Sequence, residues 1–418
     1  MKLYSFKTAL LYAFAIYSYG CAGEDQAIQP QASFVATHGT HIIDEHGDPL
    51  FFSGINLGNW LLWEGYLMMG DYEYRPHTQF LNELEQAFGS KSQALEFEHQ
   101  WRANYVTEQT IADLKDLGFN SVRVPFSYTL FWQNNTLVND GFTYLDRLIE
   151  WCKIYNIYIL LDMHAAPGYQ NPGDHSDNLN SNASHPRASV TFWDDQSNIQ
   201  IASLVWQHIP TRYANEPQIW GYDLLNEPVP QHGREYELLP SYISIRNAIR
   251  EVDQNHIIIA EGSWWGSDLQ KLDWTNTQTQ NATGVTEAWD DNLVYEIHHY
   301  GPVADTVNRD DYTNNMGIPL IIGEYGETDN KNLAAITNWA KQDTSGYFPW
   351  SFKKMSHGKT LWTIPANDAY NQFKSVINNG DTPSITLYED MISFATTNIK
   401  NGHSSIIWHQ DFYDGVKP

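Results

Sequence analysis

The stretch Ile219-Trp220-Gly221-Tyr222-Asp223-Leu224-Leu225-Asn226-Glu227-Pro228 decides the fold. An apolar run over 219–225 halts at Asn226-Glu227-Pro228, and so short a run, bounded by turn-forming residues, reads as a buried strand. The same figure recurs on both sides of it. Candidate strands cover 157–162, 120–124 and 52–57 toward the N-terminus, and 256–260, 293–297, 319–323 and 347–352 toward the C-terminus. Between them lie segments of helical period, of which 111–118 is the clearest, with Gly118 placed to end the helix. Strand alternating with helix calls for a parallel sheet, and eight strands are the number that closes it. The expectation is an α/β chain folded as one (β/α)8 TIM barrel over 37–418, with an N-terminal β-hairpin lid over 41–51. The segment 384–418 carries helix-like and aromatic stretches expected to pack on the barrel.

A parallel barrel gathers its working side chains at the C-terminal ends of its strands, so the polar residues after each apolar run are the candidates. Strand two ends on Arg123, strand three on Asp162-Met163-His164 and strand four on Asn226-Glu227. Strand six ends on His298-His299-Tyr300, strand seven on Gly323-Glu324-Tyr325-Gly326, and strand eight carries Trp350. One such residue would be noise: Asn-Glu-Pro is a common loop tripeptide, and a lone Arg is often a salt bridge at a barrel mouth. Polar residues at six strand ends make a site. The His298-His299 pair comes with no His-Glu-x-x-His or Cys-x-x-Cys spacing, so neither metal nor cofactor is expected. If His298 points inward, His299 alternates away from the barrel axis.

In these elements the chain resembles glycoside hydrolase family 5, over about positions 54–353. The Asn-Glu-Pro and Gly-Glu-Tyr-Gly elements, in that order, are the specific ones. The resemblance implies that Arg123, His164, Asn226, Glu227, His298, Tyr300, Glu324 and Trp350 match the family's active-site positions. It implies an O-glycosyl hydrolase acting on a β-linked polysaccharide or oligosaccharide by double displacement, with Glu227 as acid/base and Glu324 as nucleophile. Such chemistry needs one carboxyl protonated before attack and a second, ionised, about 5 to 5.5 Å away. Glu227 and Glu324 lie far apart in sequence, and only the fold can bring them together. Arg123 and Tyr300 are expected to keep Glu324 anionic, and Asn226 to bond the sugar 2-hydroxyl. His164 and His298 are expected to hold hydroxyls or geometry, and Trp350 to offer the sugar a platform.

Two loops sharpen this expectation. The stretches Gly54-Ile55-Asn56-Leu57-Gly58-Asn59-Trp60-Leu61 and 165–177, the latter rich in Pro and Gly, resemble those of the family's exo-acting β-1,3-glucanases. Two positions depart from that branch: Ala165 stands where it has Gly after the strand-three His, and Tyr325 follows Glu324 where it has Trp. The expected substrate is a β-glucan with 1,3-linkages, cut near a chain end, and Trp63, Trp132, Trp193, Trp264 and Trp265 are expected to face it. An endo-β-1,4-glucanase or mannanase is the alternative within the family, and a non-catalytic carbohydrate-binding protein the alternative outside it.

Composition agrees with this class of partner. A formal net charge of -26 over 418 residues repels nucleic acid and anionic membranes, and 16 Trp supply flat faces suited to sugars. Residues 1–23 read as an export signal, with Lys2 and Lys7 ahead of an apolar run too short to span a bilayer, followed by a polar stretch over 24–36. A secreted or cell-surface location is therefore expected, with no transmembrane segment in the mature chain. Cys21 is a loose match to a lipoprotein box and so a candidate lipid anchor. Cys152 falls on the helical stripe Leu145, Leu148, Ile149 and reads as core. With two cysteines there is no disulfide framework. Asn134, Asn182 and Asn281 head Asn-x-Ser/Thr sites.

Overall fold

The computed structural model describes residues 32–70, 73–180, 186–306 and 310–418. The export signal with Cys21, most of the polar stretch and Asn182 lie outside the described residues.

Eight parallel strands close into a barrel: β1 (Phe52–Asn56), β2 (Ser121–Ser127), β3 (Tyr158–Ala165), β4 (Ile219–Asp223), β5 (Ile257–Glu261), β6 (Leu293–His299), β7 (Leu320–Gly326) and β8 (Gly346–Trp350). Each strand pairs with its sequence neighbours, and β8 returns to β1. All eight runs read from the sequence are present. Strands β2 and β3 extend three residues further than their apolar runs suggest, which brings His164 inside β3. Register shifts cluster near the C-terminal ends, at Ile297/His298 in β6 and at Phe126/Ser127 in β2. A bulge re-aims the side chains beyond it, and the extra residue Gly323 of β7 sets Glu324 opposite His298.

Helix boundaries follow local chemistry. The helix Glu108–Asp116 starts from a Thr107–Thr110 capping box. It ends with Gly118 at φ +92°, its N–H donating to Lys115 O while Phe119 N–H reaches back to Leu114 O. This closing motif demands a left-handed residue, which glycine supplies without a Cβ penalty. In the helix Phe142–Tyr155, Leu145, Leu148, Ile149 and Cys152 are all buried, as their spacing requires.

The N-terminal hairpin is present, but its strands are Ala36–His38 and His41–Ile43 rather than the two halves of 41–51. It lies at the barrel floor. Thr37 N–H donates to Asn292, which immediately precedes β6, and Val35 and Ile42 pack with Phe52, Trp220 and Phe348 inside the barrel. The C-terminal segment packs on the barrel: Tyr347 of β8 donates to Val416 O, Thr337 to Gly415 O, and the buried Lys353 Nζ to Ile399 O. No helix among the described residues is long and apolar enough to cross a membrane.

Candidate active site

At the C-terminal ends of the strands one guanidinium organises the site. Arg123 of β2 is fully buried and meets five carboxylates: Asp162 at 3.1 Å, Asp223 at 2.7 Å, Glu261 at 3.1 Å, Glu296 at 3.2 Å and Glu324 at 2.8 Å. One cation cannot balance five anions in a dry interior. Burial pushes the carboxyls of Asp162 and Glu261 up to about 7, and that of Asp223 well above its usual range, so part of the cluster carries protons at neutral pH. Glu324 leaves β7 with both oxygens engaged, Oε1 accepting from Arg123 and Oε2 from the Tyr300 hydroxyl at 2.8 Å. Asn226 accepts from Arg123 at 2.9 Å and is itself fully buried.

Glu227 sits beyond β4 in the left-handed region, at φ 48°, although Pro follows it. A non-glycine residue there is strained and persists only where neighbours hold it, as they do at functional sites. Glu261 does the holding by accepting from the Glu227 backbone N–H at 2.7 Å. The Glu227 carboxylate lies between two imidazoles: His298 Nδ1 is 2.8 Å from Oε1 and His175 Nε2 is 3.0 Å from Oε2. Burial disfavours its charge, but these two rings outweigh burial and hold the carboxyl far below its usual range. An oxygen of Glu227 and one of Glu324 come within 4.8 Å of each other, so the fold joins the two residues that the sequence separates.

Both face a cavity of about 690 Å³ that His164, Tyr300 and Trp350 also line. Trp350 stacks on His164, with ring centroids 5.4 Å apart and planes 5° apart, and donates to Tyr66 at 2.6 Å. Burial holds His164 neutral, with Nδ1 2.7 Å from Asp162. Thus all eight candidate residues converge on the mouth or on the ion cluster beneath it. His299 packs against Pro302 O at 2.9 Å on the cavity's edge.

Several cavity residues escaped the sequence reading. Glu64 and Tyr66 come from the loop after β1, His175 from the loop after β3, and Glu261 and Glu296 sit beneath. His175 lies inside the stretch 165–177 and Glu64 just past the stretch 54–61, but no periodicity marks a loop residue as facing inward. The tryptophans need correction. Trp63 is fully buried against His77, Phe80 and Trp101, Trp193 is buried and donates to Ser241, and Trp132 packs half-buried against the core. Of the five, only Trp264 and Trp265 border the cavity.

Two clusters bring donor atoms close enough to suggest a cation, Glu227–His298–Glu324 and Glu261–Glu296–His298. Both depend on His298, whose Nδ1 faces Glu227 and whose Nε2 faces Glu296 at 3.1 Å and Glu261 at 3.2 Å. Burial opposes its charge, yet these carboxylates raise its pKa well above the usual range, so a cation at either cluster would have to displace a tightly held proton. Neither cluster is therefore assigned a metal. Treatment with EDTA is expected to leave the hydrolytic rate unchanged, and a loss reversed by a divalent ion would contradict this assignment.

Two carboxylates, one just beyond β4 and one in β7, face each other across the open end of the barrel, an arrangement that double displacement at a glycosidic bond requires. The sequence model of the cellulase family, glycosyl hydrolase family 5, matches residues 85–367, and the chain belongs to that family. It is 28% identical over 272 residues to a beta-xylosidase of Phanerodontia chrysosporium, covering 64% of this chain and 52% of that one. It is 30% identical over 265 residues to a glucan 1,3-beta-glucosidase of Candida oleophila, covering 59% and 57%. The chain thus spans little more than half the length of these relatives. The crystal structure of rutinosidase from Aspergillus niger superposes with a TM-score of 0.56 at 16% identity, covering 73% of this chain and 90% of that one, a likeness of fold.

Proposed function

We propose that this chain is a retaining, exo-acting hydrolase that releases terminal glucose from β-glucan with 1,3-linkages, using Glu227 as acid/base and Glu324 as nucleophile. The observation that carries the reading is a stitched wall beside the carboxylate pair. Asp174, in the loop after β3, accepts from Gly65 N at 2.9 Å and Arg75 N at 3.2 Å, both in the loop after β1. Asp177 accepts from Thr78 N at 2.7 Å and Thr78 Oγ1 at 2.6 Å, and Tyr74 donates to Asn178 O. Loops tied in this way support a reading in which one end of the cleft is walled off, and a cleft closed at one end holds a chain end. The likeness to a glucan 1,3-beta-glucosidase supports the same reading.

In the first half-reaction Glu324 attacks the anomeric carbon while Glu227 protonates the departing oxygen; in the second, Glu227 takes a proton from water as the glycosyl–Glu324 bond breaks. The short carboxylate separation favours this course, because an inverting enzyme needs room for a water between the groups. Glu64, whose burial beside Asp174 raises its pKa well above the usual range, offers a carboxylic acid able to donate to a sugar hydroxyl. A pocket of buried polar groups rejects sugars lacking the matching hydroxyl, since its own groups are then left unpaired.

Glucose is expected from laminarin at the first time points, with mannan nearly inert. Early products dominated by longer oligomers would refute exo action. Faster cleavage of carboxymethyl cellulose, mannan, a 1,6-linked glucan or an aryl β-xyloside would refute the linkage or the sugar.

A further inference from the structure

His175 lies against the outward oxygen of Glu227 in the cavity. Glu227 Oε1 is occupied by His298 from below, so Oε2 is the oxygen left to meet a leaving group, and His175 Nε2 stands 3.0 Å from it. The ring is held there on several sides. Gly173 makes room for it, since a Cβ at that position would lie 2.3 Å from His175 Cε1. Trp265 packs at 5.6 Å between centroids and His164 at 5.7 Å. Trp264 and Trp265 reach this position with consecutive left-handed backbones, φ 59° and 60°, a costly conformation for bulky residues.

The titratable groups facing His175 come from every adjoining element. They are Glu227 after β4, Glu64 after β1, His164 in β3, and Asp174 at 4.0 Å in its own loop, with His298 and Glu324 across Glu227. Burial opposes a charge on the imidazole, but Glu227 wins and pushes it up to about 9. Both shifts favour the proton on the imidazole side of the 3.0 Å contact rather than on Glu227. A general acid in that state cannot assist departure until the proton comes back.

We propose that His175 is the positioning residue that supplies this proton. It passes the Nε2 proton to Glu227 Oε2, Glu227 gives it to the glycosidic oxygen as the C1–O bond breaks and the Glu324–C1 bond forms, and His175 is left neutral. In the second half-reaction water attacks C1, Glu324 departs, Glu227 accepts the water proton and returns it to His175. The cycle conserves protons and needs no co-reactant. The inference rests on Glu227 being the acid/base residue.

The test is the pH dependence of kcat/KM for His175→Gln and His175→Asn, which offer an amide N–H toward Oε2 but cannot store a proton. With laminaritriose the alkaline limb is expected to move at least about one pH unit toward acid, with a loss of about tenfold or more at pH 8. With 2,4-dinitrophenyl β-glucoside, whose leaving group departs without protonation, the loss is expected to stay within about threefold. An unchanged alkaline limb in either folded variant, or equal losses on both substrates, overturns the proposal. Glu227→Ala separates the two readings. If it keeps its laminaritriose activity, the acid/base assignment and this inference both fail. If it loses that activity while the His175 variants keep the native limb, only the role of His175 fails.

Discussion

On the proposed mechanism Glu324→Ala is expected to lose β-glucan turnover by about 10⁴-fold or more, because the group that forms the covalent intermediate is removed. Azide is small enough to enter the space left by the carboxylate and should partly restore turnover of an activated aryl glucoside, giving a glycosyl azide of inverted configuration. Glu227→Ala is expected to lose about 10²- to 10⁴-fold on polysaccharide, the usual contribution of a general acid, while activated aryl glucosides suffer less. Identifying the inverted configuration of the azide product by NMR checks the nucleophile assignment. Near-native polysaccharide turnover by either variant would show that the pair does not act in one double displacement.

Arg123→Met is expected to damage the fold as much as the chemistry. It leaves Asp162, Asp223, Glu261, Glu296 and Glu324 without their shared cation. Removing one side of a buried ion pair costs about 3–5 kcal/mol. The loss should depend on pH in a definite direction. Carboxyls whose folded pKa is raised contribute stability below their unfolded value and lose it as pH rises. Asp162 and Glu261 already sit near 7 with Arg123 present, so the native protein sheds some stability between about 4 and 7. Without Arg123 those values rise further, and urea midpoints of the variant should fall more steeply with pH than those of the native protein. A variant as stable as the native protein at pH 7 would contradict the account of the cluster.

Strand positions were legible because a buried parallel strand must be apolar and short, and each of the eight runs obeys that rule. The residues at strand ends were legible for a related reason: a strand leaves the apolar interior at the barrel mouth, so the first polar side chains after its run mark that mouth. What the sequence hid depends on contacts between distant segments. Asp223 and Glu261 end β4 and β5 and look like ordinary strand termini until Arg123 is seen between them. Trp63 follows β1, a position that suggests a substrate-facing ring, yet the helices His77–Phe88 and Lys91–Tyr105 fold back over it and make it core. Precedence of the hairpin over β1 suggests a lid in the same way. A segment that enters a parallel strand at its N-terminal end arrives instead at the floor, the face away from the site.

The bonds of Asp174 and Asp177 to the segment 65–78 bear on how this enzyme can be re-engineered. The two loops behave as one cassette, because neither aspartate has its backbone partners unless the other loop is present in its own shape. Grafting the strand-three loop alone from a relative with different specificity would leave partly buried carboxylates without partners and loosen the pocket wall. Exchanging both loops together would carry the stitching along with the new contour. Directed libraries aimed at chain-end selectivity should therefore diversify 64–78 and 165–178 in linked pairs and hold the two aspartates fixed.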